Sequence, residues 1–125
     1  MEPRPLSDHE RTTLLLLLPE GAFPDVGTYR EQVTAAEVVG KCPCGCATIR
    51  LRVDPSKARQ ASYVGSPLLP VEGRSRAGFP PRELILFAGD GWLDSLEIVY
   101  YDEPPPSSLP PEDYWEVWNK RDAPE

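Results

Sequence analysis

The stretch from Arg82 to Tyr101 constrains the fold most. Leu84-Ile85-Leu86-Phe87 is a short apolar run of the kind found in buried strands, and Gly89-Asp90-Gly91 supplies the residues a tight hairpin turn needs for positive φ. Trp92 to Tyr101 then returns as the longest strand. Trp92, Leu96, Ile98 and Tyr100 fall on one face; Leu93, Val99 and Tyr101 share the other with Glu97. Apolar residues on both faces predict a central strand in an antiparallel sheet.

A second hairpin is predicted from Val38 to Val53. Ile49, Leu51 and Val53 alternate with Thr48, Arg50 and Arg52, the period-two pattern of a half-buried strand, and Ala35 to Val39 supply the opposing strand. All three cysteines, Cys42, Cys44 and Cys46, lie at its tip. A three-residue Pro43-Cys44-Gly45 loop would set Cys42 opposite Cys46. The side-chain pattern instead wants Glu37 opposite Arg50 and Val38 opposite Ile49. The two pairings differ by one residue, and the sequence leaves the register open.

Upstream, Ser7-Asp8-His9-Glu10 matches a capping box and starts a helix over about Asp8 to Leu17, with Leu14, Leu15 and Leu18 as its apolar face. Asp25 is the expected cap of a second, shorter helix carrying Val26, Tyr29 and Val33. Leu68 to Val71 is a further strand candidate, placed at a sheet edge because Pro67 and Pro70 interrupt it. At the end of the chain Glu112 and Asp113 open a short helix or turn on which Tyr114, Trp115 and Trp118 fall at helical spacing. The predicted fold is therefore α+β: two N-terminal helices packed on an antiparallel meander of about four strands, with a short C-terminal aromatic helix or turn.

Proline divides the chain. Of 16 prolines, five fall between Pro104 and Pro111, so a compact body over about residues 6–102 is expected to continue into a Pro-rich acidic arm over 103–125, the whole forming one domain. Charge follows the same division. Residues 102–125 carry seven acids and two bases, whereas residues 35–101 carry seven acids and eight bases, and the whole chain is −7. Such a balance repels nucleic acid and anionic membrane and favours a basic partner. Leu14 to Leu18 is far shorter than the ~20 apolar residues that span a bilayer, and Glu2, Asp8 and Glu10 precede it where a secretory leader wants positive charge. A cytoplasmic protein with reduced cysteines is the expectation.

Three readings of the cysteines stand side by side. Cys42, Cys44 and Cys46 can bind a soft metal such as zinc, for which a fourth ligand is missing; the lone histidine, His9, sits at a helix start. Cys42 and Cys46 can form a disulfide or redox pair if the register allows it. The plain alternative is three free thiols packed as small hydrophobes. No Gly-rich phosphate loop or Gly-x-Ser-x-Gly elbow occurs, and Asp90, Asp94 and Glu97 are explained by the turn and strand they occupy, so no catalytic residue is predicted.

Taken together, the capped leucine-rich helix, the Cys-Gly-Cys hairpin with Ile49-Arg50-Leu51-Arg52-Val53, and Gly91-Trp92-Leu93-Asp94-Ser95-Leu96-Glu97 leading to a Pro-rich end resemble a class of small acidic proteins of GC-rich bacteria, a domain of unknown function. Ten Arg against three Lys, three Ile and one Asn agree with such a source. The resemblance implies a compact domain and carries over no site residues. The functional expectation is a non-catalytic, acidic protein-binding module of immunity or inhibitor type, meeting a basic partner through Tyr114, Trp115, Trp118, Glu112 and Asp113, without a cofactor. The alternative is a small metal-binding or thiol-redox protein built on Cys42, Cys44 and Cys46, with zinc as the cofactor.

Overall fold

A computed structural model describes residues 2–62, 67–101 and 106–120. Its elements are β1 (Arg4–Pro5), α1 (Asp8–Leu16), α2 (Val26–Val33), β2 (Ala36–Lys41), β3 (Ile49–Val53), β4 (Leu68–Ser75), β5 (Arg82–Gly89), β6 (Trp92–Tyr100), a 3-10 turn (Glu112–Tyr114) and β7 (Trp115–Asn119). The strands form one antiparallel sheet in the order β1-β2-β3-β6-β5-β4-β7. This corrects the expected four-stranded meander under two helices. The sheet has seven strands and dominates the regular structure, and its order is not sequential, because β3 pairs with β6.

Each discrepancy has an identifiable cause. β4 is an interior strand between β5 and β7, not an edge; its register slips between Leu68 and Glu72, and that irregularity takes up Pro70, which has no N–H for a ladder. The aromatic tail is a strand rather than a helix. Trp115 to Asn119 pairs with Val71 to Ser75, and only Glu112–Tyr114 is helical. β1 holds just two residues, one of them a proline, against β2, and such a strand leaves no periodic signal.

The β5–β6 hairpin forms as expected. Asp90 and Gly91 both take positive φ (52° and 82°), the requirement of a type I′ turn. One bulge changes its faces. The register shifts between Phe87 and Ala88, opposite Asp94, so Leu93 joins Leu96 and Ile98 in the core instead of lying on the other face. The first helix also forms as read. Ser7 Oγ accepts the Glu10 N–H at 3.0 Å and Glu10 Oε1 accepts the Ser7 N–H at 2.9 Å. Leu14, Leu17 and Leu18 are fully buried, while Leu15 is only partly so. Asp25 precedes α2 but its side chain does not cap it; the carboxylate accepts from the Ser62 hydroxyl and N–H instead.

α2 lies against β6. Its Gln32, buried among apolar residues, accepts the Leu93 N–H at 2.9 Å and donates to the carbonyls of Gly91 (2.7 Å) and Arg59 (2.9 Å). α1 lies against α2 and the 3-10 turn. Among the described residues, no helix is long and apolar enough to cross a membrane.

Candidate metal centre

The β2–β3 hairpin is longer at its tip than a three-residue loop. Ala36 pairs with Val53, Glu37 with Arg52 and Val38 with Leu51; a bulge then shifts the register so that Lys41 meets Ile49. Neither pairing considered from the sequence is adopted, and Glu37 forms its ion pair with Arg52, not Arg50. Residues 42–48 are thereby free to fold back on themselves. The Cys42 N–H donates to Thr48 O at 3.2 Å and closes the loop; the Gly45 N–H donates to Cys42 O at 3.1 Å and makes an inner turn. Gly45 sits at φ +88° with open space where a Cβ would be, so it is the backbone angle, not crowding, that calls for glycine.

This knuckle gathers the sulfurs. In a flat strand, same-face neighbours two residues apart are ~6.6 Å from each other. Here the Sγ atoms of Cys42, Cys44 and Cys46 all lie within 4.8 Å of one another, and those of Cys42 and Cys44 are 2.9 Å apart in a thiol hydrogen bond. The backbone N–H of Cys46 also points at the Cys44 sulfur, at 3.4 Å. Cys46 is buried, Cys42 half-buried and Cys44 exposed, so the cluster runs from core to surface. No disulfide joins them.

The sulfurs are not equivalent. Hydrogen bonds from the Cys42 thiol, the Cys46 thiol and the Cys46 N–H bring Cys44 down to about 7. The same hydrogen bond to Cys44 pushes Cys42 up to about 11. The hydrogen bond between them favours ionisation of Cys44 over that of Cys42.

Chemically, three such sulfurs can hold a metal ion. Tetrahedral zinc thiolates have Zn–S near ~2.3 Å and hence sulfurs ~3.8 Å apart; the three here lie within 4.8 Å, and the Cys42–Cys44 pair, at 2.9 Å, would part on giving up its shared proton. Among the described residues, no histidine or carboxylate joins the three sulfurs within that limit. The knuckle opens on a cavity of about 400 Å³ whose walls include Cys42, Cys46, Lys41, His9 and Glu10. His9 is thus brought to the same cavity as the cysteines from far along the chain. Its ring nitrogens face Glu112 and the carbonyls of Leu109 and Pro110. Sequence spacing, which sets His9 at a helix start, gives no sign of this convergence.

The tail residues separate. Tyr114 and Trp115 are buried in the protein's own core, Tyr114 with its hydroxyl donating to Pro80 O. Glu112 contacts His9, and Arg76 Nε donates to the carbonyl of exposed Asp113 at 3.0 Å. Trp118 alone of the aromatic trio is exposed, at 40 %, with the Arg74 guanidinium 4.6 Å above its ring. Comparison with known protein families, curated proteins and solved structures finds no match, so no residue role comes to this chain from another protein.

Proposed function

We propose that this is a small metal-binding protein that holds zinc through the thiolates of Cys42, Cys44 and Cys46 and leaves the fourth position open to the adjoining cavity. The supporting observation is the assembly of three sulfurs within 4.8 Å on a loop closed by its own backbone hydrogen bonds. A ligand set organised in advance avoids part of the ordering entropy that a flexible loop loses on binding. Three protein ligands with a fourth place left for water or substrate is the pattern of zinc sites that exchange ligands, whereas purely structural sites are closed by four. Soft thiolates also suit copper(I), so the metal's identity is part of the test.

The reading as an immunity- or inhibitor-type module for a basic partner has less to draw on. Tyr114 and Trp115 are used internally and Glu112 faces His9, which leaves Trp118 and Asp113 at the surface.

The test is elemental analysis of protein purified under reducing conditions, followed by cobalt(II) titration of the metal-free form. One zinc per chain and a thiolate-to-cobalt charge-transfer band, both abolished in Cys42→Ser, Cys44→Ser and Cys46→Ser, are expected. Zinc content no higher than that of the triple serine variant would overturn the proposal. Copper(I) binding without zinc binding would overturn the choice of metal.

A further inference from the structure

The segment 106–111 forms one wall of the cavity beside the cysteine knuckle. Ser107, Ser108 and Leu109 line it opposite Cys42 and Cys46. No sheet ladder holds this segment. It lies outside every strand, and Pro106, Pro110 and Pro111 have no N–H to give to one. It is fastened to α1 by His9. Nε2 lies 2.9 Å from Pro110 O and 3.2 Å from Leu109 O, and Nδ1 lies 3.3 Å from Glu112 Oε1.

All three atoms facing the ring are acceptors: two backbone carbonyls, and a carboxylate oxygen whose hydrogen bonding keeps Glu112 ionised by lowering its pKa. A neutral imidazole has one N–H, so it satisfies one side and sets a lone pair against an oxygen on the other. Only the doubly protonated ring donates on both sides. Resting on the metal-site reading, we propose that His9 is a proton-dependent latch: as an imidazolium it clamps the segment 106–111 beside the cavity, and on losing a proton it releases that wall and opens the approach to Cys42 and Cys46.

The surrounding charges are compatible with this role. Glu112, from the 3-10 turn, faces the ring. On α1 itself Asp8 is engaged by Arg11, and Glu10 by Arg4 of β1, so neither cation is left to repel the ring. Lys41 and Cys42 stand on the knuckle wall of the cavity. Partial burial pulls the His9 pKa down, but the hydrogen bonds to Glu112, Leu109 and Pro110 outweigh it and hold the pKa above the ordinary histidine value. The latch therefore closes at lower pH and opens as pH rises through that raised value.

The test uses metal-free, reduced protein in which Cys42→Ser and Cys44→Ser leave Cys46 as the single thiol. Its rate of reaction with 4,4′-dithiodipyridine is measured across pH and divided into that of an unstructured peptide spanning residues 41–48 with the same substitutions, each rate first corrected to the thiolate fraction found by that molecule's own ultraviolet thiolate titration. The resulting protection should fall about fivefold as His9 deprotonates, the scale of one net hydrogen bond. The ring signals of the sole histidine, followed by NMR, should titrate with the same midpoint. In His9→Gln protection should be low at every pH, and in His9→Lys the step should vanish with protection retained at high pH. Should His9→Gln unfold, the wild-type step and its NMR midpoint decide alone. Protection independent of pH, a midpoint that does not follow the histidine, or an unchanged step in His9→Gln would overturn the latch. Because no metal is present, these outcomes are separate from the zinc content that tests the site itself.

Discussion

The side-chain amide of Gln32 closes onto the backbone of Leu93, accepting its N–H at 2.9 Å where neither residue is reached by solvent. The same amide donates to Gly91 O and Arg59 O, so one side chain joins α2, the start of β6 and the segment after β3. Gln32→Leu would keep the volume and strand the buried Leu93 N–H, while Gly91 O keeps the Ala61 N–H at 2.9 Å, so the cost should be about 1–3 kcal/mol. Urea unfolding should register a loss of that order. A change below about 0.5 kcal/mol, the range of ordinary surface substitutions, would show the amide to be incidental.

Trp115 packs over Gly73. A Cβ at Gly73 would stand 3.2 Å from Leu84 Cβ and 3.4 Å from the Trp115 ring. Gly73→Val should therefore cost about 1–3 kcal/mol by overpacking, and Trp115→Ala about 3–5 kcal/mol by leaving a cavity. The Trp115 Nε1–H is buried without a hydrogen-bond partner among the described residues. Trp115→Phe should accordingly cost less than the alanine change, since it forfeits volume but no hydrogen bond. Thermal melts of the three variants check the order.

Two groups set opposite pH trends in stability. Glu10 is held below the usual carboxylate range chiefly by its hydrogen bonds with Arg4, against the effect of burial. A lowered carboxylate stabilises the fold above its unfolded pKa of ~4.3, and that contribution is lost as pH falls through the lowered native value. His9 is raised, so its contribution is complete below an unfolded pKa of ~6.5 and is lost as pH rises through the raised native value. Glu10→Gln should flatten the acid limb of a stability–pH profile and His9→Gln the limb around neutrality. A profile in which either variant parallels the wild type on its own limb refutes the assignment.

Metal affinity and apo stability should separate among the cysteines. Without metal, Cys44→Ala at the surface should change stability by less than about 0.5 kcal/mol, whereas Cys46→Ala, in the core, should cost about 1 kcal/mol. Cobalt(II) titration should show the thiolate-to-cobalt band lost in both variants, since each removes one of only three ligands. Chelator should lower the melting temperature of the zinc-loaded protein and leave the triple serine variant unchanged.

Legibility in the sequence followed the range of the interaction. The capping box of Ser7 and Glu10 and the Asp90-Gly91 turn are contained within a few residues, and both take the expected form. The hairpin register was not readable, because a bulge between Val38 and Gly40 moves the pairing by one residue partway along the strand. The spacing of Tyr114, Trp115 and Trp118 suits a short helix or turn, yet only Glu112–Tyr114 is helical and Trp115–Asn119 is a strand. Its pairing with β4, some forty residues earlier in the chain, makes it a strand. The cysteine cluster was legible in composition but not in shape. Three thiols in five residues announce themselves, whereas their approach depends on the Gly45 turn and the extended loop. The placement of His9 depends wholly on contacts with residues 109, 110 and 112, far along the chain, which no local pattern encodes.

The position of β7 has a consequence for how the protein is made. β4 lies between β5 and β7, so its second edge stays bare until the chain has been synthesised through Asn119. During translation the nascent chain therefore carries an open strand edge and an unfilled place above Gly73, a state prone to pairing with other chains. Trp115 fills that place only once β7 has joined β4. Completion of the β4 edge waits on β7, and a chain cut off before Trp115 would leave that edge open to pairing with other chains.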